Sequence, residues 1–143
     1  GLGGYYICTP VVDQQALART LIGHWMDGFG ATANPDRRTA LGRVEVVSFL
    51  DEAIAHIVSC TGSRPKVVCT SAKAGTMTFE TVARWLDDTA VLLVLGTGHG
   101  LHQSVIDGAD GLLRAIRFMD TYNHLSVRSA ASIMVDRLLG DVG

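Results

Sequence analysis

The sequence has little of what disordered or membrane-spanning proteins need. Only 18% of its 143 residues are charged, whereas 48% are hydrophobic, and the mean hydropathy is +0.26. This balance excludes a disordered segment, which would carry more charge and fewer apolar groups. The longest apolar run, residues 90–95, is far shorter than the roughly 20 residues that cross a bilayer. We therefore expect no association with a membrane.

Cysteine is also scarce. The three cysteines are odd in number and form no CxxC pair, which excludes a disulfide framework and a zinc knuckle. The acidic residues and histidines show no metal-ligand spacing, so no metal site is expected. A net charge of −2 provides no global positive field toward nucleic acid. No charged segment followed by an apolar one opens the chain, and we expect a cytoplasmic protein.

Hydrophobic periodicity predicts alternating strands and helices. Short apolar runs bounded by turn residues predict strands at residues 4–9, 44–47, 66–70, 90–95 and 111–113. Apolar residues three and four apart predict helices at residues 13–27, 78–87, 103–107 and 126–139, and one that Ser48 opens and Gly62 ends. Residues 31–38 are expected to form a polar loop.

This alternation favours an α/β fold, with a mostly parallel sheet flanked by helices. The strand at residues 90–95 is apolar on both faces, which is typical of a central strand. Leu17, Leu21 and Trp25 are spaced four apart on the first helix. For Trp25 and Met26 we expect core packing, with a subunit interface as the alternative. Ligands of such sheets bind beyond the carboxyl ends of the strands, so the loops there are candidate sites.

The sharpest loop pattern is Gly-Thr-Gly-His-Gly at residues 96–100. Its glycines let the backbone approach a ligand, although a tight turn without a ligand has the same composition. A Walker loop is excluded because GxxxxGK[ST] is absent, and Leu101 stands where a dinucleotide-binding loop has its third glycine. A Rossmann-type methyltransferase turn remains an alternative, but that turn normally follows the first strand of its domain.

The most specific segment is NHLSVRSAASI at residues 123–133. Asn123 or Ser126 can cap the helix that follows, and the small residues let another segment pass close to it. A well-capped C-terminal helix without further function would have the same features.

LGTGHGL followed by NHLSVRSAASI resembles the second and third motifs of the SPOUT (SpoU–TrmD) superfamily of S-adenosylmethionine (SAM)-dependent RNA methyltransferases. The chain is most similar to a bacterial branch of uncharacterised members labelled tRNA (guanine-N1)-methyltransferase-like. Five patterns of that branch match residues 4–6 (GYY), 28–37 (GFG…NP.R), 70–73 (TSAK), 95–101 (LGTG.GL) and 123–130 (NHLSVR.A).

The resemblance implies an α/β sheet with a deep C-terminal trefoil knot, which periodicity alone would not indicate because knots are rare. It also implies that SAM binds within the knot, held by three loops. The matching cofactor-binding positions are Thr70, Ser71, Leu95, Gly96, Gly98, Gly100, Ile116, His124, Leu125 and Ser126. An adenine ring needs an apolar slot with main-chain donors and acceptors, which Leu95, Ile116 and Leu125 can wall.

The resemblance further implies a homodimer and an RNA substrate, either tRNA or rRNA. Arginine suits phosphate through its forked donors, and the candidate RNA-binding residues are Asn34, Arg37 and Arg38. Methyl transfer needs an aligned nucleophile and a group that removes any proton it carries, and the candidate base is Asp120. The second candidate catalytic residue is Arg117, which matches a family arginine and could contact RNA phosphate. A non-catalytic module that binds SAM or RNA is the alternative.

The resemblance also bears on domain organisation. Members of the branch begin with one strand and helix before the GYY strand. We therefore expect residues 1–143 to form a single SPOUT methyltransferase domain that lacks its first strand and helix. The start of the chain, Gly-Leu-Gly-Gly without methionine, agrees with that expectation.

Overall fold

Strands and helices alternate along the chain, and they confirm the predicted α/β class. The computed structural model describes residues 2–116 and 123–140. Its strands are β1 (Tyr5–Cys8), β2 (Val44–Val47), β3 (Lys66–Thr70), β4 (Val91–Val94) and β5 (Gly111–Leu113). Its helices are α1 (Val12–Met26), α2 (Phe29–Ala33), α3 (Pro35–Leu41), α4 (Leu50–Thr61), α5 (Phe79–Trp85), α6 (Gln103–Asp107) and α7 (Val127–Leu139). No helix in these two described ranges is long and apolar enough to cross a membrane.

The strands form two parallel sheets, one in each of two compact units, residues 1–56 and 57–143. In the first unit β1 pairs with β2, with Tyr5 opposite Val44 and Cys8 opposite Val47. In the second unit three strands lie in the order β4-β3-β5. Every one of these pairings is parallel, as the alternation of strands and helices predicts.

The central strand of the second sheet is β3, so the prediction of a central strand at residues 90–95 is wrong. Val67, Val68 and Cys69 of β3 are at most 2% exposed, whereas all four residues of β4 are partly exposed. Among the described strands β4 has β3 as its partner on one side. Apolar residues on both faces are needed for burial between layers, but the strand order comes from the connections rather than from composition.

The prediction of a polar loop at residues 31–38 is wrong, because this stretch forms the end of α2 and the first half of α3. The side-chain oxygen of Asn34 accepts a hydrogen bond from the backbone N–H of Arg37 at 3.0 Å and so caps α3. Pro35 occupies the first turn, where its missing N–H costs nothing. Asn-Pro-Asp is therefore a helix start here rather than a turn between strands.

Helix α1 leaves Leu17 and Leu21 exposed, whereas Trp25 and Met26, for which core packing is expected, are half-buried. Leu17 is 62% exposed and Leu21 is 58% exposed. The buried residue of α1 is Gln15, whose amide nitrogen donates to the Thr9 carbonyl at 2.8 Å and to the Ser48 hydroxyl at 3.0 Å. A buried amide thus ties α1 to the segments that follow β1 and β2.

The core of the second unit lies between its sheet and helices α5 and α7. Val68, Val82, Leu113 and Met134 form its buried centre. Leu95 and Ile116 pack against this centre from the ends of β4 and β5. The core therefore supports the backbone from which the loops beyond these strands begin.

Asp110, which directly precedes β5, links β5 to the start of β3 through its side chain. Its carboxylate accepts the Val67 N–H at 2.8 Å and faces Lys66 at 3.2 Å and Arg64 at 3.5 Å. Burial alone would raise the pKa of the Asp110 carboxyl. The Val67 N–H and the two cations outweigh that effect, so the pKa lies below its ordinary value of 3.8.

We expect Asp110→Asn to cost about 1 kcal/mol of unfolding free energy at neutral pH, allowing for solvent screening. A lowered folded-state pKa stabilises the protein above the unfolded pKa, and this contribution is lost as pH falls through the folded pKa. Urea unfolding at pH 7 and at pH 3 should therefore show a larger difference between wild type and variant at pH 7. An equal difference at both pH values would contradict this assignment.

Candidate functional site

The carboxyl ends of three parallel strands lie at one edge of the second sheet. Because β4, β3 and β5 run in the same direction, Val94, Thr70 and Leu113 all end there. The segments beyond these ends include every position that sequence predicts for SAM. In α/β sheets this edge is where ligands bind.

The loop after β3 is held in shape by its own hydroxyl groups. The Thr70 hydroxyl, in a residue only 9% exposed, donates to the Val94 carbonyl at 3.0 Å. The Ser71 hydroxyl oxygen accepts from the backbone N–H groups of Lys73 at 3.1 Å and Ala74 at 3.3 Å. These two side chains therefore shape the loop.

The loop after β4 is a tight glycine turn that closes on itself. The Gly100 N–H donates to the Thr97 carbonyl at 2.9 Å, and Gly100 has a positive φ of 82°. A Cβ at Gly96 would lie 2.5 Å from the Gly100 carbonyl carbon, so the chain passes itself too closely for a side chain. A Cβ at Gly98 would meet nothing within 4 Å. The open side of the turn is thus at Gly98.

The segment after β5 places its apolar residues in two different environments. Ile116 packs on the core, while Leu125 is 43% exposed beside the exposed His124. The Ser126 hydroxyl caps α7 by accepting from the Ser129 N–H at 3.2 Å. Leu125 therefore offers apolar area that the described residues leave exposed.

The two candidate catalytic residues, Arg117 and Asp120, lie outside the described residues. The candidate RNA-binding residues belong to the first unit. Asn34 caps α3, and the Arg37 guanidinium carbon lies 4.3 Å from the centre of the Trp25 ring. Arg38 is an exposed residue of α3. Arg37 therefore has a stacking partner within its own unit.

The sequence did not indicate the polar contacts made by the segments beyond β3 and β5. The Asn123 amide nitrogen donates to the Ala72 carbonyl at 2.9 Å, across 51 residues of chain. Arg137 donates to the Ile116 carbonyl at 3.3 Å and lies over the Phe79 ring. No local pattern signals a side chain that bonds to a distant backbone carbonyl. The asparagine at the head of the 123–133 motif was the one available clue.

The first unit holds a separate apolar groove of about 710 Å³. Its walls come from β1, β2, α1 and α3 and are almost entirely apolar; they include Tyr5, Ile7, Leu17, Leu21, Trp25 and Leu41. The exposed leucines of α1 lie in this groove. The groove is lined by apolar side chains, whereas the glycine turn at residues 96–100 exposes mainly backbone.

The sequence is similar to proteins whose names concern tRNA methylation. It is 56% identical over 142 residues to a tRNA (guanine-N(1)-)-methyltransferase of Oleidesulfovibrio alaskensis, and 54% identical to one of Nitratidesulfovibrio vulgaris. Each match covers 99% of this chain but 33% of the relative, so the chain spans about a third of the length of these relatives. An uncharacterised protein of Aquifex aeolicus is 35% identical over 140 residues, which is 94% of this chain and 67% of that protein.

The fold also has a counterpart among solved structures. The crystal structure of a probable methyltransferase from Bordetella pertussis Tohama I superposes with a TM-score of 0.61, covering 94% of this chain and 90% of that one at 21% identity. At that identity the likeness concerns the fold. The sequence profile described as SAM-dependent RNA methyltransferase matches residues 1–140. The chain therefore belongs to the SAM-dependent RNA methyltransferase family.

Proposed function

We propose that this domain binds SAM at the carboxyl edge of the β4-β3-β5 sheet and transfers its methyl group to tRNA. The observation that carries the proposal is the shared edge at which three parallel strands end, with the glycine turn open at Gly98. Asn123 bonds to the loop after β3, and Leu125, two residues later, is 43% exposed. The family supports SAM and RNA, and the names of the two bacterial relatives support tRNA. A tRNA substrate agrees with a cytoplasmic location.

The residues at this edge fit SAM in kind. Adenine needs apolar walls and nearby backbone groups. Leu95, Ile116 and Leu125 are the proposed walls, and the loops around Thr70, Gly96 and Gly100 supply backbone close to them. His124, Ser71 and Ser126 are proposed to complete the site.

The chemistry is a single displacement. SAM supplies an electrophilic methyl group on its sulfonium sulfur. A nucleophilic atom of the RNA forms a bond to this methyl carbon while the carbon–sulfur bond breaks, and the electron pair of that bond stays on sulfur. The protein must hold the nucleophile in line and accept any proton that it loses. We assign these tasks to Asp120 as base and Arg117 as a partner for RNA negative charge. Asn34, Arg37 and Arg38 are proposed to contact RNA phosphates.

Calorimetry with SAM, followed by methyl incorporation into bulk tRNA and bulk rRNA, tests the proposal. We expect SAM binding and methylation of tRNA. Binding without transfer to either RNA would support the alternative, a non-catalytic module of the same fold. Absence of SAM binding would overturn both. Transfer to rRNA alone would overturn the tRNA assignment.

The trefoil knot and the missing first strand and helix remain proposals. The Asn123–Ala72 hydrogen bond supports the knot, since it brings the segment before α7 to the loop after β3. An experimental chain trace that passes outside that loop would refute the knot. The relatives are longer than this chain, which supports the proposal that residues 1–143 form most of the domain without its first strand and helix. An intact mass of 15.2 kDa for the natural protein would refute that reading.

We also propose that the chain forms a homodimer through the exposed face of α1. Leu17 and Leu21 would each lose apolar area to water on association, and burial of a leucine contributes about 1.5–3 kcal/mol. The groove beside them adds continuous apolar surface.

Leu21→Glu is therefore expected to convert the dimer to monomer in light scattering after gel filtration. Val12→Glu is the matched control, because Val12 is 74% exposed on the same helix and does not line the groove. A dimer that survives Leu21→Glu would refute this interface.

A further inference from the structure

One side-chain amide connects two of the loops assigned to SAM. Asn123 immediately precedes His124, Leu125 and Ser126, while Ala72 immediately follows Ser71. The Asn123 amide nitrogen reaches the Ala72 carbonyl at 2.9 Å in a partly buried position. The two loops are far apart in sequence, so their spacing at this point depends on this contact.

The other groups of the loop after β3 face elsewhere. Ser71 holds the N–H groups of Lys73 and Ala74, and Met77 pairs with β5 through its own N–H and carbonyl. The turn is therefore fixed at both ends by its own bonds. The Ala72 carbonyl lies between those ends and receives its donor from the segment that enters α7.

We propose that Asn123 is a positioning residue that sets the distance between the loop after β3 and the segment 124–126, and so shapes the SAM site. This inference rests on the proposed function. Asn123 acts through the backbone of Ala72, and it is not assigned any contact with SAM. Its effect should appear as weaker SAM binding rather than as general loss of structure.

Asn123→Asp replaces the amide N–H₂ donor by a carboxylate oxygen while the side chain keeps its shape. A carboxylate oxygen facing the Ala72 carbonyl repels it and leaves the carbonyl without this donor. We expect the loop after β3 and the segment 124–126 to separate, and the Kd for SAM to rise about tenfold. Asn123→Ala removes the donor without adding charge and should give a smaller rise in the same direction.

The experiment is calorimetric titration of SAM into the whole 143-residue chain at a temperature where circular dichroism shows each variant folded. Asp110→Asn is the matched control. It weakens the same unit at the amino end of β3, where Asp110 bonds Val67, whereas Asn123 acts beyond the carboxyl end. Asp110→Asn should lower the unfolding midpoint and leave the Kd for SAM unchanged.

The outcomes distinguish failure of the proposed function from failure of the positioning role of Asn123. If the wild type does not bind SAM, the proposed function fails. If the wild type binds SAM and both Asn123 variants bind it equally well, only the positioning role fails. If Asp110→Asn weakens binding as much as Asn123→Asp, Asn123 acts through stability and the inference is overturned. Should Asn123→Asp not fold, Asn123→Ala decides.

Discussion

Gly75→Ala is expected to lower the unfolding free energy of the second unit by roughly 3 kcal/mol. Gly75 has a φ of 123°, a conformation that residues with a side chain rarely adopt. A Cβ would also overlap the Leu113 carbonyl oxygen and lie 2.6 Å from its carbonyl carbon. Strain and overlap add, so the effect should exceed that of either alone.

The chain at Gly75 cannot retreat from β5 to make room. Two residues on, the Met77 N–H donates to the Leu112 carbonyl at 3.1 Å, and the Met77 carbonyl accepts from the Arg114 N–H at 2.9 Å. Moving the loop would break these bonds. The same bonds place the loop after β3 alongside β5, so the substitution should also weaken SAM binding.

Gly62→Ala is the matched control for this prediction. Gly62 has a φ of 79°, but a Cβ there would meet nothing within 4 Å. It should therefore cost about 1 kcal/mol, from backbone conformation alone. Urea unfolding measures both variants. Equal losses for Gly62→Ala and Gly75→Ala would mean that the contact with Leu113 contributes nothing.

Gly96→Ala is expected to weaken SAM binding by tenfold to a hundredfold, because a crowded backbone costs about 1–3 kcal/mol to rearrange. The new Cβ would lie 2.5 Å from the Gly100 carbonyl carbon and 2.7 Å from its oxygen. The obstacle is the backbone of Gly100 and Leu101, so no side-chain rotation relieves it. The turn must open, and with it the wall beside Leu95.

Gly98→Ala, two residues away, tests the same loop from its open side. Nothing lies within 4 Å of a Cβ at Gly98, so the unfolding midpoint should match that of the wild type. If SAM approaches this backbone, the added methyl should still weaken binding. Titration of SAM and thermal unfolding of both variants give four measurements. Unchanged SAM binding in Gly96→Ala would refute the assignment of this turn to the site.

The elements with strong local signals were predictable. A short helix is predicted at residues 103–107 and a short strand at residues 111–113, and the structure has both elements at those bounds. The Asn-Pro-Asp stretch led to the wrong prediction of a loop because the same residues occur in turns and at helix starts. Asn34 can begin a turn or cap a helix, and only the Arg37 N–H in the following turn decides between them.

Part of the candidate site was also predictable, for a different reason. Thr70 and Leu95 end apolar strands, so their place at a sheet edge follows from alternation of strands and helices. The roles of individual side chains did not follow. The Thr70 hydroxyl donates to the Val94 carbonyl, and the Asn123 amide donates to the Ala72 carbonyl. Each pair is too far apart in sequence for a periodic pattern to predict the hydrogen bond.

By itself, the sequence determined that the chain is α/β, where most of its strands and helices lie, and which motifs belong to a SAM-dependent RNA methyltransferase. The class and the elements depend on neighbours within a few residues, through periodicity, capping and turns, whereas the motifs were identified by their resemblance to the family. Only the tertiary structure decided that β3 is the central strand, that Leu17 and Leu21 face outward, and that Gly75 lies against Leu113. Each of these depends on which distant segments pack together, and packing is a property of the whole chain rather than of any window within it.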